Sequence, residues 1–288
     1  MSSAERIPTV EWQVAGACNY DCSYCIQSPV YRRGRPQRDQ LERAVTAFAG
    51  LPGRWEIKCS GGEAFAHPLF MAQVVPELMA RTPHAISVLT NFSATHAELM
   101  QFARLTRGRL AVFSASLHLE SVTAEDFADK AAWFTLLLDE DVRFVVNQVV
   151  LPGREAEALR SRDVIEARGL RWFPQLYKRD GGVADYPEPD ALIPLIGKRP
   201  TPREANVAPS YRGQRCWSGV DYLIVDKDGD AWACRTGKRF GEGALGNVFT
   251  GALARKPAPS ACPYDICPCT VPANRGMIEG VMQREDLQ

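Results

Sequence analysis

Strand-like and helix-like segments alternate through the first two-thirds of the chain, which predicts an α/β fold built on a parallel sheet. Two further observations divide the chain. A stretch rich in proline and glycine over 179–210 interrupts the alternation. The nine cysteines fall in two groups, with none from 60 to 215, so a smaller and differently built C-terminal part is expected. The expected divisions are a tail over 1–9, an α/β domain over 10–200 and a cysteine-bearing domain over 201–288.

Apolar, β-rich segments occur at Thr9–Val14, Arg54–Cys59, Ala85–Thr90, Arg109–Leu117, Val142–Val150 and Arg171–Tyr177. Helical periodicity appears near 38–50, 68–81, 95–106, 123–138 and 154–168, as in Leu41, Val45 and Phe48. Thr123 with Asp126 reads as a helix N-cap signal. Six strands are too few for a closed eight-stranded barrel and suit a doubly wound sheet or an open partial barrel. Past the interruption, Tyr222–Asp226 and Asp230–Arg235 flank an Asp-Gly turn, a hairpin signal with Cys234 on its second strand. A short helix is expected at about 273–286.

Lysine plus arginine and aspartate plus glutamate each number 34, so no broad field favours nucleic acid or anionic membrane. Apolar residues make up 45%, enough for a sizeable core. The N-terminus lacks signal-peptide character and no run has the length of a membrane helix. A soluble cytoplasmic protein follows as the expectation, and there cysteines read as metal ligands rather than disulfides.

Cys18, Cys22 and Cys25 lie between the first strand and first helix, where parallel sheets place their active sites. Three thiolates can hold a 4Fe–4S cluster with one iron open to a small molecule; structural zinc would require a fourth, remote ligand. The second strand ends in Cys59-Ser60-Gly61-Gly62-Glu63, a turn whose glycines admit close approach and whose carboxylate can bind an ammonium.

With Tyr24 before the last cysteine, Cys-x-x-x-Cys-x-x-Cys followed by Gly-Gly-Glu resembles the radical S-adenosylmethionine (SAM) superfamily. The resemblance implies a partial (β/α)6 barrel. It implies a cluster that binds and reductively cleaves SAM, giving a 5′-deoxyadenosyl radical that takes a hydrogen atom from substrate. It implies that Gly61, Gly62 and Glu63 bind the methionine amino group, and that Asn91 and Ser116 contact the carboxylate or ribose. Asn147, Val149 and Gln175 would line the adenine or substrate pocket. His118 reads as a polar rim residue and a weak catalytic candidate. Cys59 reads as a small core residue, with hydrogen-atom donor as the sharper alternative. His67 reads as a helix-entry residue, and the basic run from Arg32 to Arg38 as a solvated loop or a partner surface.

Cys216, Gly229 and Cys234 resemble the opening of the SPASM/twitch domains of this superfamily. The resemblance implies an auxiliary 4Fe–4S cluster drawing on Cys216, Cys234, Cys262, Cys267 and Cys269, of which Cys262 is the least favoured; structural zinc is the alternative. The expected function is a two-electron oxidation of a small molecule such as an aminocyclitol, sugar or amino-acid derivative, fed by a flavodoxin- or ferredoxin-type donor. Only 17 residues precede Cys18, which leaves no leader-binding domain in this chain and tilts the expectation away from peptides. The alternatives are a ribosomal-peptide-modifying enzyme, by crosslinking or epimerisation, and a zinc or iron–sulfur interaction module.

Overall fold

The computed structural model describes residues 6–179, 182–196, 210–265, 267, 271–272 and 275–281. Strands β1 (Thr9–Ala15), β2 (Glu56–Gly61), β3 (Ala85–Thr90), β4 (Leu110–Leu117), β5 (Arg143–Val150) and β6 (Trp172–Leu176) pair in sequence order, all parallel. Between them run α1 (Arg38–Ala49), α2 (Val75–Arg81), α3 (His96–Thr106), α4 (Ala124–Thr135) and α5 (Glu155–Glu166). The expected 68–81 helix begins as a π-helical turn, Phe70–Val74. Pro76 has no N–H for the preceding turn, which loosens the ladder there. Thr123 caps α4, its hydroxyl accepting from the Asp126 N–H at 3.1 Å.

Helix α1 packs on α2, α2 on α3 and α4 on α5, and Phe113 of β4 meets both Phe102 of α3 and Phe134 of α4, so the helices share one face of the sheet. That settles the open partial barrel over a doubly wound sheet. Alternate strand residues meet the helices. Val10, Trp12, Ile57, Val88, Phe113 and Val146 are fully buried with Phe48, Phe102 and Phe134. The other set, including Glu11, Lys58, Ser114, Ser116 and Asn147, forms the inner face.

After β6 come the short pair β7 (Lys178–Arg179) and β8 (Gly182–Val183), a 3-10 turn and α6 (Ile193–Ile196). The expected boundary near 200 lies outside the described residues. Then follow β9 (Arg215–Cys216), β10 (Tyr222–Val225), β11 (Asp230–Trp232), α7 (Arg235–Phe240), β12 (Ala244–Asn247), β13 (Ala252–Leu253) and β14 (Ser260–Ala261). Strand β10 joins the free edge of β1 in parallel, and β11–β13 continue antiparallel, making one ten-stranded sheet. β9 pairs separately with β14.

The Asp-Gly hairpin forms as expected, with Gly229 at φ +83° and a Cβ there would strike the Phe249 ring at 2.5 Å. The second strand is shorter than expected. It ends at Trp232, and Cys234 caps α7 instead of standing on the strand. Within the helix expected at about 273–286, residues 275–281 form turns and a bridge from Ile278 to Cys216 instead; 273–274 and 282–288 lie outside the described residues.

Glu11 ties the added strands to the barrel. It is 2% exposed. Its Oε2 accepts from Tyr222 Oη at 2.7 Å and Arg235 Nε at 2.9 Å, and its Oε1 faces Lys58 Nζ at 3.5 Å. Burial alone would raise its pKa, but Arg235, Lys58 and Tyr222 outweigh burial and hold it at about 2. A carboxyl more acidic folded than unfolded stabilises the fold above its unfolded pKa, and that gain disappears as pH falls through the folded value. Glu11→Gln should therefore cost on the order of 2–3 kcal/mol at neutral pH, with the gap to wild type closing as urea midpoints are followed from pH 5 down to pH 2.

Candidate active site

The loop after β1 folds back on itself and on the end of β2. The Gly16 and Ala17 N–H groups donate to Gly34 O at 3.1 and 3.2 Å. The Gly62 and Glu63 N–H groups donate to Ala15 O and Ala17 O at 2.8 and 3.0 Å. A Cβ on Gly61 would lie 2.2 Å from Ala15 O, and one on Gly62 2.2 Å from Gly16 O. The glycines are thus required by contact between two loop backbones, a reason that reading the turn as a ligand cradle did not supply.

Within the loop, the Cys25 N–H donates to Cys22 O at 3.1 Å. The three thiols lie close enough to act on one another electrostatically. Burial pushes Cys22 up to about 11, with Cys18, Glu120 and Cys25 adding to the rise. Burial likewise raises Cys18, reinforced by Glu63 and Cys25. Cys18 and Cys22 therefore resist ionisation alone, and a metal centre beside them reverses this, since a coordinating thiol is deprotonated outright.

Glu63 is 1% exposed and extensively bonded. Its Oε1 accepts from Thr90 Oγ1 at 2.8 Å and the Phe65 N–H at 3.0 Å; its Oε2 accepts from the Asn91 N–H at 2.6 Å. A carboxylate offers about four lone-pair positions, so three acceptances leave one for a ligand. Asn91 donates from Nδ2 to Asn19 Oδ1 at 2.9 Å and approaches Cys18 Sγ at 3.8 Å. The next residue, Phe92, has φ +60°, and Lys130 fastens its carbonyl at 2.8 Å. Strain at a held turn beside a candidate site is a recurrent functional arrangement.

His118 does not face solvent as a rim residue. Its Nδ1 lies 2.9 Å from Tyr24 Oη and 3.4 Å from Cys22 Sγ, and its ring stacks on Tyr24. Two residues on, Glu120 accepts from the Ser23 N–H at 2.9 Å and from the Ser23 hydroxyl. The end of β4 therefore grips the cysteine loop. Glu120 and Ser23 carry no motif, and nothing in the sequence marks them.

Ser116 stands opposite Asn147 across β4 and β5, and Asn147 Nδ2 donates to Ser114 Oγ at 2.5 Å. Val149 and Gln175 are opposite one another on β5 and β6. Val149 shares a small cavity with Tyr24 and Arg154, which connects the strand to the cysteine loop. Cys59 is fully buried in the core on the helix side, and burial pushes its thiol up to about 12. That placement fits the core reading and sets the thiol on the face opposite Lys58 and Ser60. His67 is also buried, its Nδ1 accepting from the Leu69 N–H at 3.1 Å at the entry to the next helical turn.

The C-terminal cysteines also converge. Cys216, Cys234, Cys262 and Cys267 line one cavity of about 70 Å³ with Tyr264 and Lys256. Cys269 lies outside the described residues. Cys262, the least favoured ligand by sequence, faces the cavity with the rest. Cys234 Sγ accepts from the Gly237 N–H at 3.2 Å; burial raises its pKa, and Cys216 and Cys262 add to that. All eight described cysteines are free thiols. Among the described residues no three His, Cys, Asp or Glu side chains are placed around a single ion. The four thiols instead surround a space several times the roughly 10–15 Å³ needed by one water-sized body, which fits a multi-atom cluster.

Comparison with solved structures agrees with this geometry. The chain matches anSMEcpe with bound AdoMet at a TM-score of 0.57 and 14% identity, over 84% of this chain and 77% of that one. It matches Streptococcus suis SuiB bound to precursor peptide SuiA at 0.60 and 13%, over 86% of this chain and 64% of that one. The chain has the radical SAM fold. At these identities the likeness establishes architecture alone. In sequence, the chain is 41% identical over 59 residues to the GTP 3′,8-cyclase of Stenotrophomonas maltophilia; the match spans 19% of this chain and 18% of that protein. No family model matches the chain. No helix among the described residues is long and apolar enough to cross a membrane.

Gly62→Ala forces a methyl group into the Gly16 and Ala17 carbonyls, so the radical SAM fold should lose more than about 1 kcal/mol of stability, read as a lower denaturant midpoint at unchanged slope.

Proposed function

We propose that the chain is a radical SAM enzyme, a reading carried by the convergence of three thiols, one buried carboxylate and a glycine turn at the end of β1 and β2. Cys18, Cys22 and Cys25 would hold a 4Fe–4S cluster. Glu63 and the Gly61–Gly62 backbone would hold the amino group of SAM, and Asn91 and Ser116 its carboxylate or ribose. Asn147, Val149 and Gln175 would border the adenine or the substrate. Cys216, Cys234, Cys262 and Cys267 would hold an auxiliary 4Fe–4S cluster, with Cys269 the remaining candidate. When bound, the first cluster with SAM supplies a hydrogen-abstracting 5′-deoxyadenosyl radical, and the auxiliary cluster supplies an acceptor for a second electron.

The chain's own residues prepare this chemistry. Thr90, Phe65 and Asn91 fix the Glu63 carboxylate before any ligand arrives, so little ordering is left for binding. Tyr24, His118 and Glu120 hold the cysteine loop against β4. Burial keeps Glu63 away from bulk water, which strengthens its attraction for an ammonium.

The finer reading is a two-electron oxidation of a small molecule such as an aminocyclitol, sugar or amino-acid derivative, with electrons from a flavodoxin- or ferredoxin-type protein. Peptide modification is the second reading. It is favoured by two proteins of this fold seen with peptides, anSMEcpe with the Cp18Cys peptide and SuiB with SuiA.

Anaerobic reconstitution should load about eight irons per chain. Replacing Cys18, Cys22 or Cys25 by alanine should abolish reductive formation of 5′-deoxyadenosine. Cys262→Ala should halve the iron and leave that cleavage in place. Wild-type protein that binds iron yet never cleaves SAM would mark an interaction module instead.

A further inference from the structure

Phe92 joins the hydrophobic core to the SAM site proposed above. Among the described residues it is the one non-glycine at positive φ, +60°, a conformation that bulky side chains rarely adopt. Its ring is buried and packs on Phe113, Phe127 and Phe134, with centroids 5.7, 5.3 and 5.8 Å away. Its N–H donates to Thr90 Oγ1 at 3.0 Å. The residues on either side face the site. Thr90 Oγ1 and the Asn91 N–H donate to Glu63 at 2.8 and 2.6 Å. Ser93 Oγ accepts from Asn19 Nδ2 at 2.9 Å, and Asn91 Nδ2 donates to Asn19 Oδ1 at 2.9 Å. Lys130 holds the carbonyls of this turn from the helix side. Its Nζ donates to Phe92 O at 2.8 Å and to Ala94 O at 2.6 Å, and lies 4.8 Å over the Phe92 ring. Helix α4 places it there, since Phe127 and Phe134, three positions before and four after, pack on the same ring. Lys130 is half-buried, and burial lowers its pKa while Glu98 opposes the shift. An ammonium taken partly out of water is unfavourable unless its hydrogen bonds are kept.

We propose that Lys130 is a positioning residue for the SAM site. Its two bonds keep the turn over 91–94 in the conformation that presents the Asn91 N–H to Glu63 and the Asn91 side chain to the cysteine loop. A strained residue persists only where its surroundings over-determine it. Core packing fixes where the Phe92 ring sits, and Lys130 fixes the direction of its carbonyl. Without the ammonium, the backbone relaxes out of the left-handed region while the ring stays, so Asn91 and Ser93 move instead. Glu63 then loses its shortest donor, and Asn19 loses its two partners. Lys130 thus acts through Phe92 and reaches Glu63 by way of the Asn91 backbone. Its bearing on SAM rests on the function proposed above; its hold on the turn does not.

The test uses full chains reconstituted with iron and sulfide: wild type, Lys130→Met and Lys130→Arg. K130M keeps a stem against the Phe92 ring and removes the ammonium. K130R can still donate to both carbonyls. The first readout is amide hydrogen exchange. K130M should exchange about tenfold faster over 91–95, with wild-type rates kept over 85–89 and 124–135, and K130R should stay near wild type. The second readout is SAM affinity, by equilibrium dialysis without reductant. K130M should bind about tenfold more weakly, the scale of a lost supporting contact, and K130R within about threefold of wild type. Faster exchange across all of α4, or unchanged exchange over 91–95, marks a lysine that serves packing alone and overturns the proposal. So does a loosened turn with unchanged SAM affinity. Should K130M fail to fold, K130Q, with a shorter neutral donor, takes its place under the same readings. Wild type that binds SAM while K130M matches it in both readouts refutes the role of Lys130 alone. A turn loosened by K130M in a chain whose wild type binds no SAM refutes the proposed function alone.

Discussion

The edge of β1 is the constraint on which the rest of the molecule depends. β1 pairs with β2 on one side and with β10 on the other, both in parallel. The cysteine loop leaves its C-terminal end, and the chain that carries the second group of thiols is built outward from β10. Glu11 sits buried at this junction and bonds to residues from β2, β10 and α7. A single buried carboxylate thus fixes the frame in which both cysteine sets are held. Arg235, one of its partners, immediately follows Cys234, so the anchor lies one residue from a thiol of the second cavity.

The first site is held from three directions. The glycine turn touches the loop backbone from β2, Asn91 approaches Cys18 from β3, and His118 with Glu120 closes on it from β4. These contacts come from three separate strand ends. Their agreement is what gives a loop with little regular structure a defined shape. A parallel sheet makes that possible because it delivers consecutive strand ends to one rim.

The barrel was legible in the sequence because each strand and helix carries its own periodicity. The six strands appear within two residues of their expected starts. The cysteine triplet and Gly61-Gly62-Glu63 were legible because their chemistry demands fixed spacing. The second half of the sheet was less so. β12 and β13 are two to four residues long and hold their place by pairing, which leaves no pattern in a short window. Cys234 looked like a strand residue because apolar Ala231 and Trp232 precede it, yet the helix N-cap prevailed there. His118 and Glu120 belong to the site through contacts made across about 95 positions, which local pattern cannot encode.

The pairing of β10 with β1 also governs how the molecule can be made. Tyr222 and Glu11 are 211 positions apart. A ribosome releases β1 through β6 long before β10, so a nearly complete barrel waits with one edge of its first strand open. Such an edge is a template for pairing with another chain. Contacts of this sequence separation are also the slow ones in folding. The strand edge that joins the two thiol sets in the finished protein is therefore an exposed seam during synthesis until β10 arrives to cover it.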